Sequence, residues 1–248
     1  MRLFIDVGNT HLTYGVTNQS QWLVHGRYAT QSAASTDPFV FCLEQALASA
    51  QVSPSVIEGV GVSSVVPELN ASLQQAINDY LKQPAYFLQA GKQTALTICT
   101  DHPSAVGADL LAGLIGASVR YPQACCVVDL GTITTVSVIN AQRDYLGSVF
   151  FPGMKTAMHA MHQQTAQLPT VSLEKPLRRL GRHTAQSIQI GLYAMQVATI
   201  NQVVSQIKAV DFADQPCQVI GTGGLSHLFS DSGIFDVLHP HLVLEELN

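Results

Sequence analysis

The chain has 248 residues, of which 47% are hydrophobic and 12% charged, and its net charge is −5. That length and apolar content suffice for a large core without disulfide staples. Lys and Arg are scattered, which excludes the basic stripe that a nucleic-acid backbone requires, and no apolar run reaches membrane-spanning length, so a cytoplasmic protein with a small-molecule site is expected, with neither nucleic acid nor membrane as partner.

The opening "MRLFIDVGNT" turns polar after Ile5 and lacks the apolar core of a secretory leader. Residues 3–7 are too few for a helix and continuous enough for a buried strand; Gly8 and Asn9 then make a turn, and "LTYGV" returns as the hairpin partner. In "TDPFVFCLEQALASA", Phe39, Val40, Leu43, Ala46 and Leu47 recur at helical spacing, with a capping residue before Pro38. "VIEGVGVSSVVP" reads as a buried strand. "ELNASLQQAINDYLK" follows as an amphipathic helix with Leu69, Leu73, Ile77 and Leu81 on one stripe. "AYFLQ" and "ALTIC" are short strands. "SAVGADLLAGLIGASVRY" is apolar almost all round and reads as a buried helix whose one acid is Asp109; the small residues of 105–119 make it a candidate packing face for a second copy.

The second half repeats the scheme. "ACCVVDLGTITTVSVIN" is strand, turn, strand, and "YLGSVFF" is a third strand closed by Pro152 and Gly153. "MKTAMHAMHQQTAQL" is a helix, "PTVSLEKPLRRLGRH" a surface loop, and "TAQSIQIGLYAMQVATINQVVSQIKAV" a long helix starting at a Thr cap. "CQVIGTGGLSHLF" runs from a strand through a glycine turn into a helix. The five cysteines form no C-x-x-C pair and read as small buried hydrophobes. His159 and His162, and the pair His239 and His241, have no third ligand placed near them and signal no metal site.

One cassette occurs twice, about half a chain apart. "FIDVGNTHLTYGV", residues 4–16, nearly recurs as "VVDLGTITTVSVI", residues 127–139; each is an apolar run ending on an acid, Asp6 or Asp129, followed by Gly8 or Gly131 and by Asn9 or Thr132. The repetition predicts an α/β protein of two related domains, 1–120 and 121–248, around a central cleft. A strand that stops on Asp and turns through Gly puts a carboxylate beside backbone N–H groups, which receive phosphate oxygens well. The carboxylate itself repels phosphate unless a divalent cation lies between, and Mg²⁺ is commonly held by one or two carboxylates plus waters and phosphates. One such turn alone is an ordinary hairpin. Two of them facing each other would grip a polyphosphate from both sides. "GTGG", residues 221–224, adds a third glycine turn suited to a nucleoside, whereas neither G-x-x-x-x-G-K-[ST] nor G-x-G-x-x-G is present.

The order of these turns resembles the superfamily of acetate and sugar kinases, heat-shock cognates and actin, whose domains are ribonuclease H-like (actin-like ATPase) folds. "DVGNT", "SSVVP", "HPSAVGAD", "DLGTITT", "GSVFFPG", "TAQLP", "GRHT" and "GTGG" sharpen it: their order and spacing resemble type III pantothenate kinase, from about residue 4 to the last strand. The resemblance implies transfer of the γ-phosphoryl group of ATP to the primary hydroxyl of pantothenate, giving 4'-phosphopantothenate in the first step of coenzyme A biosynthesis. It also implies a homodimer that uses Mg²⁺ and a monovalent cation, K⁺ or NH₄⁺. Asp109 matches the catalytic base. Asp6 matches a residue that approaches Mg²⁺ and phosphate, within an ATP-binding run of Val7, Gly8, Asn9, Thr10, His11, Leu12 and Thr13. Asp129 matches the monovalent-cation ligand, and Thr132, Gly223 and Gly224 match ATP contacts. Thr100, Gly107, Ala108, Asp109, Leu110 and Thr184 fall at pantothenate positions.

Three positions depart from the family pattern. Leu110 stands where the family's Gly-Ala-Asp-Arg has Arg, Thr100 where a Tyr is common, and His183 where "GRNT" has Asn. A leucine supplies none of the directed donors an Arg gives a carboxylate. The departures all lie on the acceptor side, and three readings stay open: pantothenate held by other donors (Thr184, His102 or His183), a kinase for a different small hydroxyl compound, or a non-catalytic nucleotide-binding accessory or regulatory protein. Retention of Asp109 separates the enzymes from the binder.

Overall fold

A computed structural model of the chain describes residues 1–18, 21–30, 35–90, 96–213, 215–240 and 242. The chain forms two compact units, one from Met1–Ala95, Asp101–Gly116 and Leu242–Asn248, the other from Leu96–Thr100 and Ala117–His241. Among the described residues, the short segment Leu96–Thr100 clusters with the second unit and Leu242 with the first.

In the first unit, β1 (Arg2–Val7), β2 (His11–Asn18) and β3 (Gln21–Ala29) form an antiparallel meander. Helix α1 (Thr36–Ser49) then leads to β4 (Gly59–Ser64), parallel to β1, and α2 (Pro67–Leu81) leads to β5 (Ala85–Phe87), parallel to β4. The sheet order is β3-β2-β1-β4-β5. Successive strand side chains alternate faces. Leu3, Ile5 and Val7 of β1 therefore share a core with Val60 and Val62 of β4, Phe39, Leu43 and Leu47 of α1, and Leu73 and Ile77 of α2. Pro67 opens α2, and Lys82, in the left-handed region at φ 55°, ends it. The expected stripe holds at Leu73, Ile77 and Leu81, with Leu69 packed at its margin.

The second unit repeats this plan. β7 (Ala124–Leu130), β8 (Ile133–Ile139) and β9 (Asp144–Pro152) form the meander, β10 (Cys217–Thr222) lies parallel to β7, and β11 (Val237–Leu238) lies parallel to β10. The order is β11-β10-β7-β8-β9-β6, the same sequence of senses with one added edge strand, β6 (Thr97–Ile98), on β9. The repeated cassette is thus the first hairpin of a repeated topology. Helices α4 (Met154–Gln163) and α5 (Thr184–Ile207) cover a core of Cys126, Val128, Leu130, Val136, Leu192, Ile200 and Phe229. Helix α3 (Ala108–Arg120) carries the chain between the units, whose division falls after Gly116.

Several expectations are corrected. The expected two-strand hairpin is a meander of three, since Gln21, His25 and Arg27 hide the alternation with which Trp22, Val24 and Tyr28 of β3 cover one face. Helix α3 starts at Ala108, after a 3-10 turn over Pro103–Ala105, and its end is open, with Val119 63% exposed. The cap of α5 is His183, and Thr184 is its first residue. The "GTGG" turn leads to a 3-10 turn, Ser226–Phe229, rather than a helix. Cys42, Cys125 and Cys126 are buried as expected, but Cys99, just beyond the two-residue edge strand β6, is exposed. His241 and Ala95 lie outside the described residues. Among the described residues, no helix is long and apolar enough to cross a membrane.

Candidate active site

Each cassette places its carboxylate one residue before a strand ends. In the first unit Asp6 lies opposite Thr13 on β2 and Ser63 on β4. In the second, Asp129 lies opposite Thr135 on β8 and Thr222 on β10. Paired residues share a face of the sheet, so each acid is flanked by hydroxyls on both sides. The Oγ atoms of Ser63 and Thr135 are buried and make no hydrogen bond among the described residues. Buried hydroxyls are normally paired, so these two mark positions where a bound polar group or its waters would be satisfied.

The two turns are tied down alike. In the first, Gly8 N–H donates to the His11 carbonyl at 3.0 Å, Thr30 N–H to the Thr10 carbonyl at 3.0 Å, and Thr30 Oγ1 to the Gly8 carbonyl at 2.7 Å. Asn9, Thr10 and His11 are exposed there, while Val7 and Leu12 point into the core, which leaves only their backbone to a ligand. In the second turn, one residue shorter, the Thr132 carbonyl accepts from Gly153 N–H at 3.2 Å and from Thr156 Oγ1 at 2.5 Å. Thr30 and Gly153 are equivalent, each following the third strand of its meander.

The glycine turn after β10 closes on Asp129. Gly223 has a φ of +90°, and a Cβ there would collide with Asp129 Oδ1 and lie 2.7 Å from Leu130 N. The Gly223 carbonyl accepts from the buried Ser226, at 2.7 Å from Oγ and 3.1 Å from N, and Leu225 N–H donates to the Leu130 carbonyl at 3.3 Å. The second unit therefore brings Asp129 and Gly223 into direct contact and pins the Gly224 segment to the end of β7. No sequence signal singled out Ser226, Thr30 or Thr156.

Asp109 stands at the start of α3 in the first unit. Its Oδ1 accepts from Leu110 N–H at 2.7 Å, and the side chain folds back over Gly107, where a Cβ would lie 2.6 Å from that oxygen. Burial pushes the carboxyl above its ordinary range, and the N–H groups at the helix start partly offset this. A carboxylate held this way is a stronger base than a solvated one. Ala108 is buried beside it, whereas Leu110 is half-buried.

Of the other residues expected on the acceptor side, His102 is exposed in the first unit, and Thr100, His183 and Thr184 belong to the second. Thr100 Oγ1 is buried and makes no hydrogen bond among the described residues. His183 does what an Asn does at a cap: its Nδ1 accepts from Gln186 N–H at 3.4 Å, while Gln186 Oε1 accepts from Arg182 N–H at 2.9 Å. Thr184 is exposed. Among the described residues no three His, Cys, Asp or Glu side chains cluster as a protein-only metal cage. One carboxylate per turn beside unpaired hydroxyls does fit a cation held largely by waters and phosphates, the usual pattern for Mg²⁺.

Comparison with known proteins agrees with the fold and the motifs. Among solved structures, a Sinorhizobium meliloti protein described as a 2-dehydro-3-deoxygalactonokinase superposes with a TM-score of 0.59 at 12% identity, covering 100% of this chain and 94% of that one. A Clostridium difficile activator of 2-hydroxyisocaproyl-CoA dehydratase, solved with ADPNP bound, gives 0.54 at 12% identity, covering 99% and 91%. These likenesses establish the actin-like ATPase fold. Type III pantothenate kinases of Anaeromyxobacter sp. (strain K) and Exiguobacterium sibiricum are 36% and 33% identical over 248 residues, each covering 100% of this chain and 97% of the relative. The sequence model of type III pantothenate kinase matches residues 2–206, so the chain belongs to the type III pantothenate kinase family.

Proposed function

We propose that this protein phosphorylates pantothenate at the expense of ATP, giving 4'-phosphopantothenate in the first step of coenzyme A biosynthesis. The observation that carries the reading beyond family membership is Asp109, a largely buried carboxylate with a raised pKa at the start of α3. Phosphoryl transfer asks for positioning, charge stabilisation and one group that takes the nucleophile's proton. Asp109 takes the proton of the pantothenate hydroxyl as its oxygen attacks the γ-phosphorus and the bond to the β,γ-bridging oxygen breaks. In the first unit the exposed Asn9–Thr10 part of the turn receives phosphate oxygens, and in the second unit Thr132 and the Gly223–Gly224 turn are the nucleotide contacts. Asp6 is the residue that would hold Mg²⁺, and Asp129 the residue that would hold K⁺ or NH₄⁺; such cations neutralise phosphate charge as it develops. Gly107 and Leu110 of the first unit, and Thr100 and Thr184 of the second, are the residues the family resemblance assigns to pantothenate. The enzyme acts as a cytoplasmic homodimer.

One observation favours a second reading, a kinase for another small hydroxyl compound: Leu110 offers no donor where the family's Arg can grip a carboxylate. The test supplies purified protein with ATP, Mg²⁺, K⁺ or NH₄⁺, and either pantothenate or a panel of small alcohols, and identifies the phosphorylated product by mass. Phosphopantothenate as the main product supports the first reading. Turnover of another alcohol without turnover of pantothenate supports the second. Leu110→Arg adds a check, because a lowered KM for pantothenate places residue 110 at the acceptor carboxylate.

A further inference from the structure

Helix α5 buries one stripe, Ile188, Leu192, Gln196, Ile200 and Val204, spaced four residues apart against the second core. Four members are aliphatic and one is an amide, and Gln196 is 0% exposed. Packing alone would be served at lower cost by a leucine or methionine, since a buried amide has to be hydrogen-bonded merely to break even. Gln196 is bonded at both ends. Its Oε1 accepts from Thr134 Oγ1 at 2.9 Å, and its Nε2 donates to the Pro152 carbonyl at 2.8 Å.

Both partners flank the Thr132 turn. Thr134 pairs with Leu130 across the hairpin, and Pro152 pairs with Ile133. The next residue, Gly153, donates its N–H to the Thr132 carbonyl. The amide thus completes a closed circuit from α5 through Pro152 and Gly153 to Thr132 and back through Thr134. We propose that Gln196 is a positioning residue of the phosphoryl-transfer site, fixing the Thr132 turn from below so that it meets the nucleotide in one geometry. This rests on the assignment of Thr132 to the nucleotide. Gln196 touches no reacting atom; it acts through the strand ends it holds.

The test compares Gln196→Met, which keeps the volume and removes both hydrogen bonds, with Thr134→Val, which removes one bond and is the milder change to folding. Each variant raises KM for ATP about five- to tenfold, the effect of roughly one lost hydrogen bond. KM for pantothenate stays within about twofold, and the double variant is no worse than Gln196→Met, as expected for groups in one circuit. A lowered melting temperature with KM for ATP unchanged in both variants overturns the proposal, because Gln196 would then be structural only. Thr132→Ala separates the two levels. If Thr132→Ala raises KM for ATP and Gln196→Met does not, the positioning role alone fails; if Thr132→Ala has no effect, the nucleotide assignment fails and this proposal fails with it.

Discussion

Gly223 lies against the Asp129 carboxylate with no room for a Cβ between them, at a φ of +90° that disfavours any side chain. Gly223→Ala therefore has two consequences: backbone strain of about 1–3 kcal/mol and displacement of the carboxylate or of the end of β7. The variant is less stable in chemical denaturation, and its KM for ATP rises by about tenfold or more. Unchanged nucleotide kinetics in a folded variant would remove the glycine turn from the site.

Burial raises the pKa of Asp109, which fixes the sign of its effect on stability. A carboxyl whose folded pKa lies above its unfolded one favours folding while it is protonated, and that contribution is lost as pH rises through the folded pKa. Asp109→Asn keeps the shape and removes the charge. Thermal melts across pH will show the variant more stable than wild type at neutral pH, with the gap closing as pH falls to the ordinary carboxylate range. A gap independent of pH would mean that Asp109 is not buried as a charge.

Thr30 holds the first turn through two bonds, one from its backbone to the Thr10 carbonyl and one from Oγ1 to the Gly8 carbonyl. Thr30→Val removes only the second and leaves the Gly8 carbonyl short of a buried donor. Stability falls by about 1–2 kcal/mol and KM for ATP rises, read by denaturation and steady-state kinetics. If only stability responds, the Gly8 turn does not meet the nucleotide.

His183→Asn replaces one side-chain acceptor at the α5 cap with another, whereas His183→Ala removes it. Melting temperatures will show the Asn variant near wild type and the Ala variant lower by about 1 kcal/mol in stability. Equal loss in both would show that the imidazole serves something other than the cap.

What the sequence makes legible follows from what is local. The apolar runs of β1 and β7, their terminal acids and the four-residue spacing in α2 are written in adjacent residues, and the pattern shared by residues 4–16 and 127–139, an acid and then a glycine between two apolar runs, announces the doubled topology. The supports of the site are not local. Thr30 reaches back 22 residues to Gly8, Gln196 reaches 62 residues to Thr134, and Ser226 matters because β10 sets its turn against Asp129. A lone Thr in a polar segment and a lone Gln in an apolar helix carry no pattern, since their partners are chosen by the fold. The cap of α5 shows the limit at short range: Thr184 is the better cap by residue preference, but the chain turns helical one residue earlier, and Gln186 locks onto Arg182 and His183 instead.

The most direct test follows phosphoryl transfer from ATP to pantothenate by wild type and by Asp109→Asn, with ATP binding measured on the same preparations. The account predicts phosphopantothenate from wild type, a rate about 10²–10⁴-fold lower in the variant, and similar ATP affinity in both. Equal rates in the two proteins, or no product from a wild type that binds ATP, would contradict it.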